Sequence, residues 1–281
     1  MFGDIMYLFS FLKELISNKK IIITLSINDF KSKFSGSYFG IFWAFMQPIV
    51  TVLIYVFVFQ IGFKAAPLDN NFPYVLWLIA GIVPWFFISE SINLASSSLI
   101  DYNYLVKKVV FNIDILPLVK INSALFIHLF FVAFSVIVYA INGILVPITF
   151  IQIPYYMFCC LALVVSICYF TSAVVPFFKD FLQIVNIILQ IGMWMCPIMW
   201  NETLLAGHES HFVTDTIPKL LRLNPVYYIV YGYRSCFMGG DKCWFFDRPL
   251  LTTYFWAFVL LSFLIGQVVF KKLKVHFADV L

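Results

Sequence analysis

Six apolar runs, each close to twenty residues and separated by short polar or proline-bearing breaks, set the limits on this chain. They cover 38–63, 72–94, 117–139, 151–178, 181–200 and 251–270. Each is long enough to cross the roughly 30 Å hydrocarbon layer of a bilayer as a helix. Lipid offers no partner to backbone N–H and C=O groups, so a run of this kind must satisfy them within itself. The expected fold is therefore an all-α membrane protein with six transmembrane helices. Composition agrees: 63% of the 281 residues are hydrophobic and 11% are charged, against about 25% charged in a soluble domain. Soluble, disordered and nucleic-acid-binding readings are excluded on that ground.

The breaks carry the usual punctuation. Lys179-Asp180, after Pro176, makes a tight polar turn between the fourth and fifth runs. Asn142-Gly143 and Pro147 separate the third from the fourth. Twelve of the 18 basic residues fall on one side of a six-span arrangement, among them Lys31, Lys33, Lys107, Lys108, Lys120 and Lys271. Lys and Arg mark the cytoplasmic face, so both termini are expected there. The first twenty residues mix apolar and charged positions and show no small-residue cleavage site, so no removable leader is expected.

Two segments are more than loops. Ile5, Leu8, Phe9, Leu12, Leu15 and Ile16 recur at helical steps around Lys13 and Glu14, which predicts an N-terminal amphipathic interface helix within 4–33. Residues 201–249 are too apolar for a free loop. Pro225 divides them into two short helices, expected to re-enter the outer leaflet as gate helices. The whole chain, 1–281, reads as one transmembrane domain: interface helix to 37, spans one to five over 38–200, gate helices over 201–249, then span six and a tail.

Polar side chains at membrane depth are costly and tend to mark pathways or contacts. Gln183, Asn186, Gln190 and Trp194 share one stripe of the fifth run, and Gln47, Thr51, Tyr55 and Phe59 share one stripe of the first. Amides bond hydroxyl groups and aromatic faces cover the apolar face of a sugar ring, so such stripes suit a sugar-passing slot. They equally suit glue between neighbouring helices. Glu90 reads as a structural carboxylate and His128 as a packed core histidine. Gly36 and Gly40 read as a turn into span one. Trp85, Trp200 and Trp244 suit interfacial anchoring. Four cysteines sit in apolar runs as small hydrophobes, and Cys236 and Cys243 leave a disulfide open as an alternative. No GxSxG, HExxH or paired helical carboxylates occur, and without a Gly-Lys dipeptide there is no phosphate-cradling GxxxxGK[ST] loop. ATP-driven work would need another chain. The segment 99–111 is short and amphipathic; it either rests on headgroups or inserts into a partner's groove.

Several segments, in order along the chain, resemble the permease subunit of type-2 ABC exporters of polysaccharides, the O-antigen, capsule and teichoic-acid exporters. They are Phe30-Lys31-Ser32-Lys33 through Tyr38-Phe39-Gly40-Ile41-Phe42-Trp43, Gln47-Pro48, Ala80-Gly81-Ile82-Val83-Pro84-Trp85, Leu105-Val106-Lys107-Lys108 through Ile115-Leu116-Pro117, and Asn224-Pro225-Val226-Tyr227-Tyr228 through Arg234. The resemblance implies a homodimer with two cytoplasmic ABC ATPase subunits, which would bind the ATP and Mg; this chain would carry no cofactor and bind no nucleic acid. It implies docking of the ATPase on Tyr104, Leu105, Val106, Lys107, Lys108 and Val109. It implies admission of a polyprenyl-pyrophosphate headgroup at Lys31, Lys33, Tyr38, Phe39 and Gly40, a polymer slot along spans one and five, and an outer gate at Asn224, Pro225, Tyr227, Tyr228 and Tyr231. The location implied is the bacterial inner membrane, multi-pass and in contact with its lipids. Lys31 and Lys33 stand where relatives often carry Arg, and Phe39 where they carry Leu; a Lys is a point charge and grips a phosphate less directionally. Two alternatives remain. One is a drug or small-lipid exporter of the same superfamily, which would lack the basic helix. The other is a membrane lipid-sugar transferase, which would need acidic or His clusters at the interface.

Overall fold

The computed structural model describes residues 17–36, 38–63, 72–107, 112–205, 210–240 and 243–281, and every regular element among them is helical. The apolar recurrence at Ile5–Ile16, Lys108 and Val109 lie outside the described residues. The first helix, α1, runs Lys19–Lys33. Gly36 and Gly40 then adopt φ of +85° and +51°, the left-handed region open to glycine, and turn the chain into α2. Helix α2 spans Phe42–Tyr55 around an internal Pro48 and continues as a π-helical stretch, Val56–Gly62. Helix α3 is Tyr74–Ser96. Two single turns follow, Ser98–Asp101 and Asn103–Val106. Then come α4 Leu116–Ile141, α5 Ile153–Val174, α6 Phe181–Met195, α7 Ile217–Arg222, α8 Pro225–Met238 and α9 Pro249–Lys274, with a last single turn at Phe277–Val280 and short 3-10 and π-helical pieces between some of them. Helices α4, α5, α7, α8 and α9 each carry a proline in the first turn, where its missing N–H leaves no bond unmade.

Five of the expected spans appear as helices long and apolar enough to cross a membrane, over Phe42–Gly62, Tyr74–Ser96, Ile113–Ile141, Ile148–Val174 and Pro249–Lys274. The run 181–200 differs. Its helix, α6, stops at Met195 after 15 residues, about 22 Å of rise. Cys196 turns extended (φ −85°, ψ 134°) ahead of Pro197, which cannot donate to the helix, and residues 196–199 fold inward as buried chain. The tight turn at Lys179-Asp180 forms as expected.

Helix α3 is the centre of the bundle, buried along most of its length and walled by α4, α5 and α8. Trp85, expected at the interface, is instead buried in this core. Helices α5 and α9 pack at close range: a Cβ on Gly266 would lie 3.1 Å from the Ser166 carbonyl and the Phe170 nitrogen, the small-residue packing that joins helices in lipid. Helix α8 meets α5 where Gly232 faces the Tyr156 ring. A Cβ at Gly232 would fall within that ring, and both residues are buried. Gly232→Ala is therefore expected to destabilise the bundle by about 1–3 kcal/mol, read as a lower apparent melting temperature of the purified protein. An unchanged value would show that the ring yields freely. His128 packs as expected, sharing a 2.7 Å hydrogen bond with the Tyr233 hydroxyl. Cys236 and Cys243 are both buried.

Candidate functional site: exposed stripes, a charge clasp and an arginine cap

Helices α2 and α6 are the least embedded of the long elements. Only Ala44 and Val52 of α2, and only Val185 of α6, are buried. On α6 the predicted stripe stands outward: Gln183, Asn186, Gln190 and Trp194 are all exposed, Trp194 by 55%. The stripe on α2 is graded. Gln47 is exposed, while Thr51, Tyr55 and Phe59 are half-buried and lean toward α3, with the Phe59 ring 6.3 Å from that of Tyr74. Exposed beside it lies a second, wholly apolar strip that includes Leu53, Ile54, Phe57 and Ile61.

Gln47 and Thr51 line a cavity of about 170 Å³ together with Lys33, Ser89 and Glu90. Two predicted groups thus meet there: the end of α1 and the polar stripe of α2. Lys33 forms an ion pair with Glu90, so that carboxylate is structural as its sequence setting suggests. Lys31 points to solvent on the same helical turn. Tyr38 is 97% exposed and Phe39 is exposed beside it, the two rings edge to face at 5.2 Å, next to the left-handed Gly40. The stripe of α6 does not share this cavity.

The segment predicted to dock a partner is divided by burial. Tyr104 and Lys107 are exposed, Leu105 is half-buried and Val106 is only 4% exposed, so Val106 is a core anchor. A charge clasp fixes the segment from behind. Lys120 Nζ, on α4, lies 2.8 Å from Asp29 Oδ1 of α1 and 3.0 Å from Asp101 Oδ2. Tyr102 donates its hydroxyl to Asp29 at 2.7 Å and turns its ring under Lys120, 4.9 Å away. Burial and the bond to Asp29 hold the Tyr102 phenol well above its ordinary pKa. At the same end of the bundle Lys274, closing α9, pairs with Asp114 at 2.6 Å. Neither Asp29 nor Lys120 was expected to matter from sequence. The available signal was a Lys followed by apolar residues at helical spacing, a position that demands a counter-charge.

At the other end Asn224 caps α8 by accepting from the Val226 N–H at 3.0 Å, and Pro225 occupies its first turn. The division at Pro225 into two helices is thus as the sequence suggests. Tyr227 is buried and donates to Glu202 at 3.1 Å. Tyr228, also buried, bonds Tyr155 at 2.8 Å and Thr252 at 3.2 Å. Tyr231 lies half-buried under Arg248, whose guanidinium sits 3.8 Å from its ring. The residue that organises this end is Arg234. Its guanidinium lies 3.5 Å from the Trp77 ring and donates to the carbonyls of Pro197 and Ile198, each at 2.6 Å. Those carbonyls lie just past the early end of α6, and the arginine satisfies them there. A Cβ at Gly81 would meet Arg234 Nη2 at 2.6 Å, so that glycine makes room for the guanidinium.

Comparison with known proteins shows the family of the chain. The chain is 23% identical over 262 residues to an O-antigen export system permease protein RfbA of Klebsiella pneumoniae, covering 93% of this chain and 95% of that one. A protein of the same name from Myxococcus xanthus is 22% identical over 225 residues, 80% of this chain and 83% of its own. The profile of the ABC-2 type transporter family matches residues 21–238, well over half of the chain. This protein, a multi-pass membrane chain with five long apolar helices among its described residues, belongs to the ABC-2 type transporter family.

Proposed function

We propose that this chain is the membrane permease of an ATP-driven exporter that carries a lipid-linked polysaccharide of the O-antigen class out across the bacterial inner membrane. The observation that carries the reading is the exposure of amides and an indole along α6. Amides facing hydrocarbon would each leave donors and acceptors unmet, so a face bearing Gln183, Asn186 and Gln190 needs a second protein surface or water. A second copy of the chain, set against α2 and α6, supplies both: the apolar strip of α2 closes the contact and the polar stripes line a wet slot. Weak repeated contacts let a polymer advance where tight ones would hold it.

The remaining roles follow from position. The exposed Tyr104 and Lys107 meet the ATPase, whose ATP hydrolysis moves the two copies, and the clasp behind them passes that motion to α1 and α4. Lys31, Tyr38 and Phe39 receive the pyrophosphate and first sugars at the cytoplasmic mouth. Six crossings place both termini inside, with α6 and the inward-folded 196–199 together making the fifth. Helices α7 and α8 form the outer gate. Sequence similarity to the two O-antigen export permeases supports the polysaccharide class.

Deletion of the gene tests the reading directly. The cell surface is expected to lose a long-chain glycan while its lipid-linked form accumulates inside, and expression of this chain should reverse both. A surface glycan profile identical to that of the parent strain would exclude polysaccharide export.

A further inference from the structure

At the end of the bundle away from Tyr104 lies a cavity of about 350 Å³, within the size range of small-molecule sites. Its walls are the outer turns of α8, the start of α3 at Trp77, and the chain just past α6. Its lining is unlike the rest of this apolar molecule. Tyr227 and Tyr231 stand one helical turn apart with rings only 14° from parallel and 6.4 Å between centroids, forming one aromatic wall. Glu202 faces the same space. Its Oε1 is taken by the Tyr227 hydroxyl at 3.1 Å and by Arg222 at 3.3 Å. Its Oε2 is enclosed and has no hydrogen-bond partner among the described residues. Arg234 contributes a fixed cation whose Nε is likewise unmatched among them.

An enclosed carboxylate oxygen without a donor is costly, by about 1–3 kcal/mol. It is relieved by a ligand that brings O–H groups. A flat aromatic wall beside it favours a ligand with one apolar face. Hydroxyls on the rim and C–H groups on the face describe a pyranose ring. An acyl chain or an acceptor-only anion would bring no donor and leave Glu202 Oε2 unmet.

We propose that this cavity is a binding site for one neutral pyranose unit, with a sugar hydroxyl donating to Glu202 Oε2 and the sugar lying against the part of the Tyr231 ring that Arg248 does not cover. The choice of ligand class rests on the polysaccharide reading given above. The site gives the outer gate a station that engages one sugar of the advancing polymer, separate from the stripes on α2 and α6.

The test uses the purified full chain in lipid nanodiscs and a panel of methyl glycosides of glucose, galactose, mannose, rhamnose and N-acetylglucosamine, with binding followed by saturation-transfer NMR. At least one glycoside is expected to bind saturably in the millimolar range. Glu202→Gln and Tyr231→Ala should each weaken it about ten-fold, a loss of about 1.4 kcal/mol. Tyr231→Phe, which keeps the ring, should weaken binding less than Tyr231→Ala does, and Ile137→Ala, exposed on α4 and outside the cavity lining, should bind as the parent does. Absence of saturable binding across the panel, or binding untouched by both the Glu202 and Tyr231→Ala variants, overturns the site. Failure of the export reading shows elsewhere, as an unchanged surface glycan in the deletion strain.

Discussion

Lys120→Met will destabilise the folded chain by about 3–5 kcal/mol, the range for removing one partner of a buried ion pair. The side chains of Lys120 and Asp29 are 11% and 8% exposed, so the Asp29 carboxylate is left buried with little access to water when the cation goes, whereas Asp101 is 41% exposed. Methionine fills the same volume and leaves Asp29 and Asp101 as neighbouring like charges beside the Tyr102 ring. The measurement is the apparent melting temperature and the monodisperse yield of the detergent-purified protein. The paired variant Lys120→Met with Asp29→Asn should recover most of the loss, because both ends of the buried pair are then uncharged. A Lys120→Met protein as stable as the parent would falsify the clasp as a structural element. The clasp joins α1, α4 and the turn bearing Tyr104, so the milder paired variant should also lower the amount of glycan exported per ATP hydrolysed while ATPase binding persists.

The double change Gln190→Leu with Trp194→Ala is expected to lower export about ten-fold or more without lowering the yield of folded protein. Both side chains are exposed on α6, so truncating them opens no cavity in the core. What is lost is one hydrogen bond and one stacking face per passing sugar, each about 1 kcal/mol, and about 1.4 kcal/mol is a factor of ten in rate. Surface glycan appearing after induction in a deletion background gives the rate. Export at the parental rate, with normal amounts of protein in the membrane, would remove the stripe from the pathway.

Much of the helical plan was legible because lipid crossing and backbone satisfaction leave few options for runs of twenty apolar residues. The runs 72–94, 117–139 and 251–270 became helices that differ only by a turn or so at their ends. The split at Pro225 and the turn at Gly36 and Gly40 were equally readable, since proline and glycine act locally. The run 181–200 misled because hydropathy does not register a missing N–H: Cys196 to Met199 are as apolar as the helix before them, yet leave it. Trp85 misled because an indole suits both an interface and a core, and only the packing of α3 decides. The charge clasp and the Arg234 site were not legible. Each joins residues far apart in the chain, Asp29 with Lys120 and Gly81 with Arg234, and spacing rules speak only for neighbours.

The truncated end of α6 ties three distant positions to one fate. Arg234 donates to the carbonyls of Pro197 and Ile198, just beyond the point where the helix stops, and it can do so only because residue 81 has no side chain. A bulkier residue at 81 expels the guanidinium, strands two carbonyls, and makes the proline untenable. Positions 81, 197 and 234 are therefore expected to tolerate substitution only in combination, each change altering what the other two can accommodate.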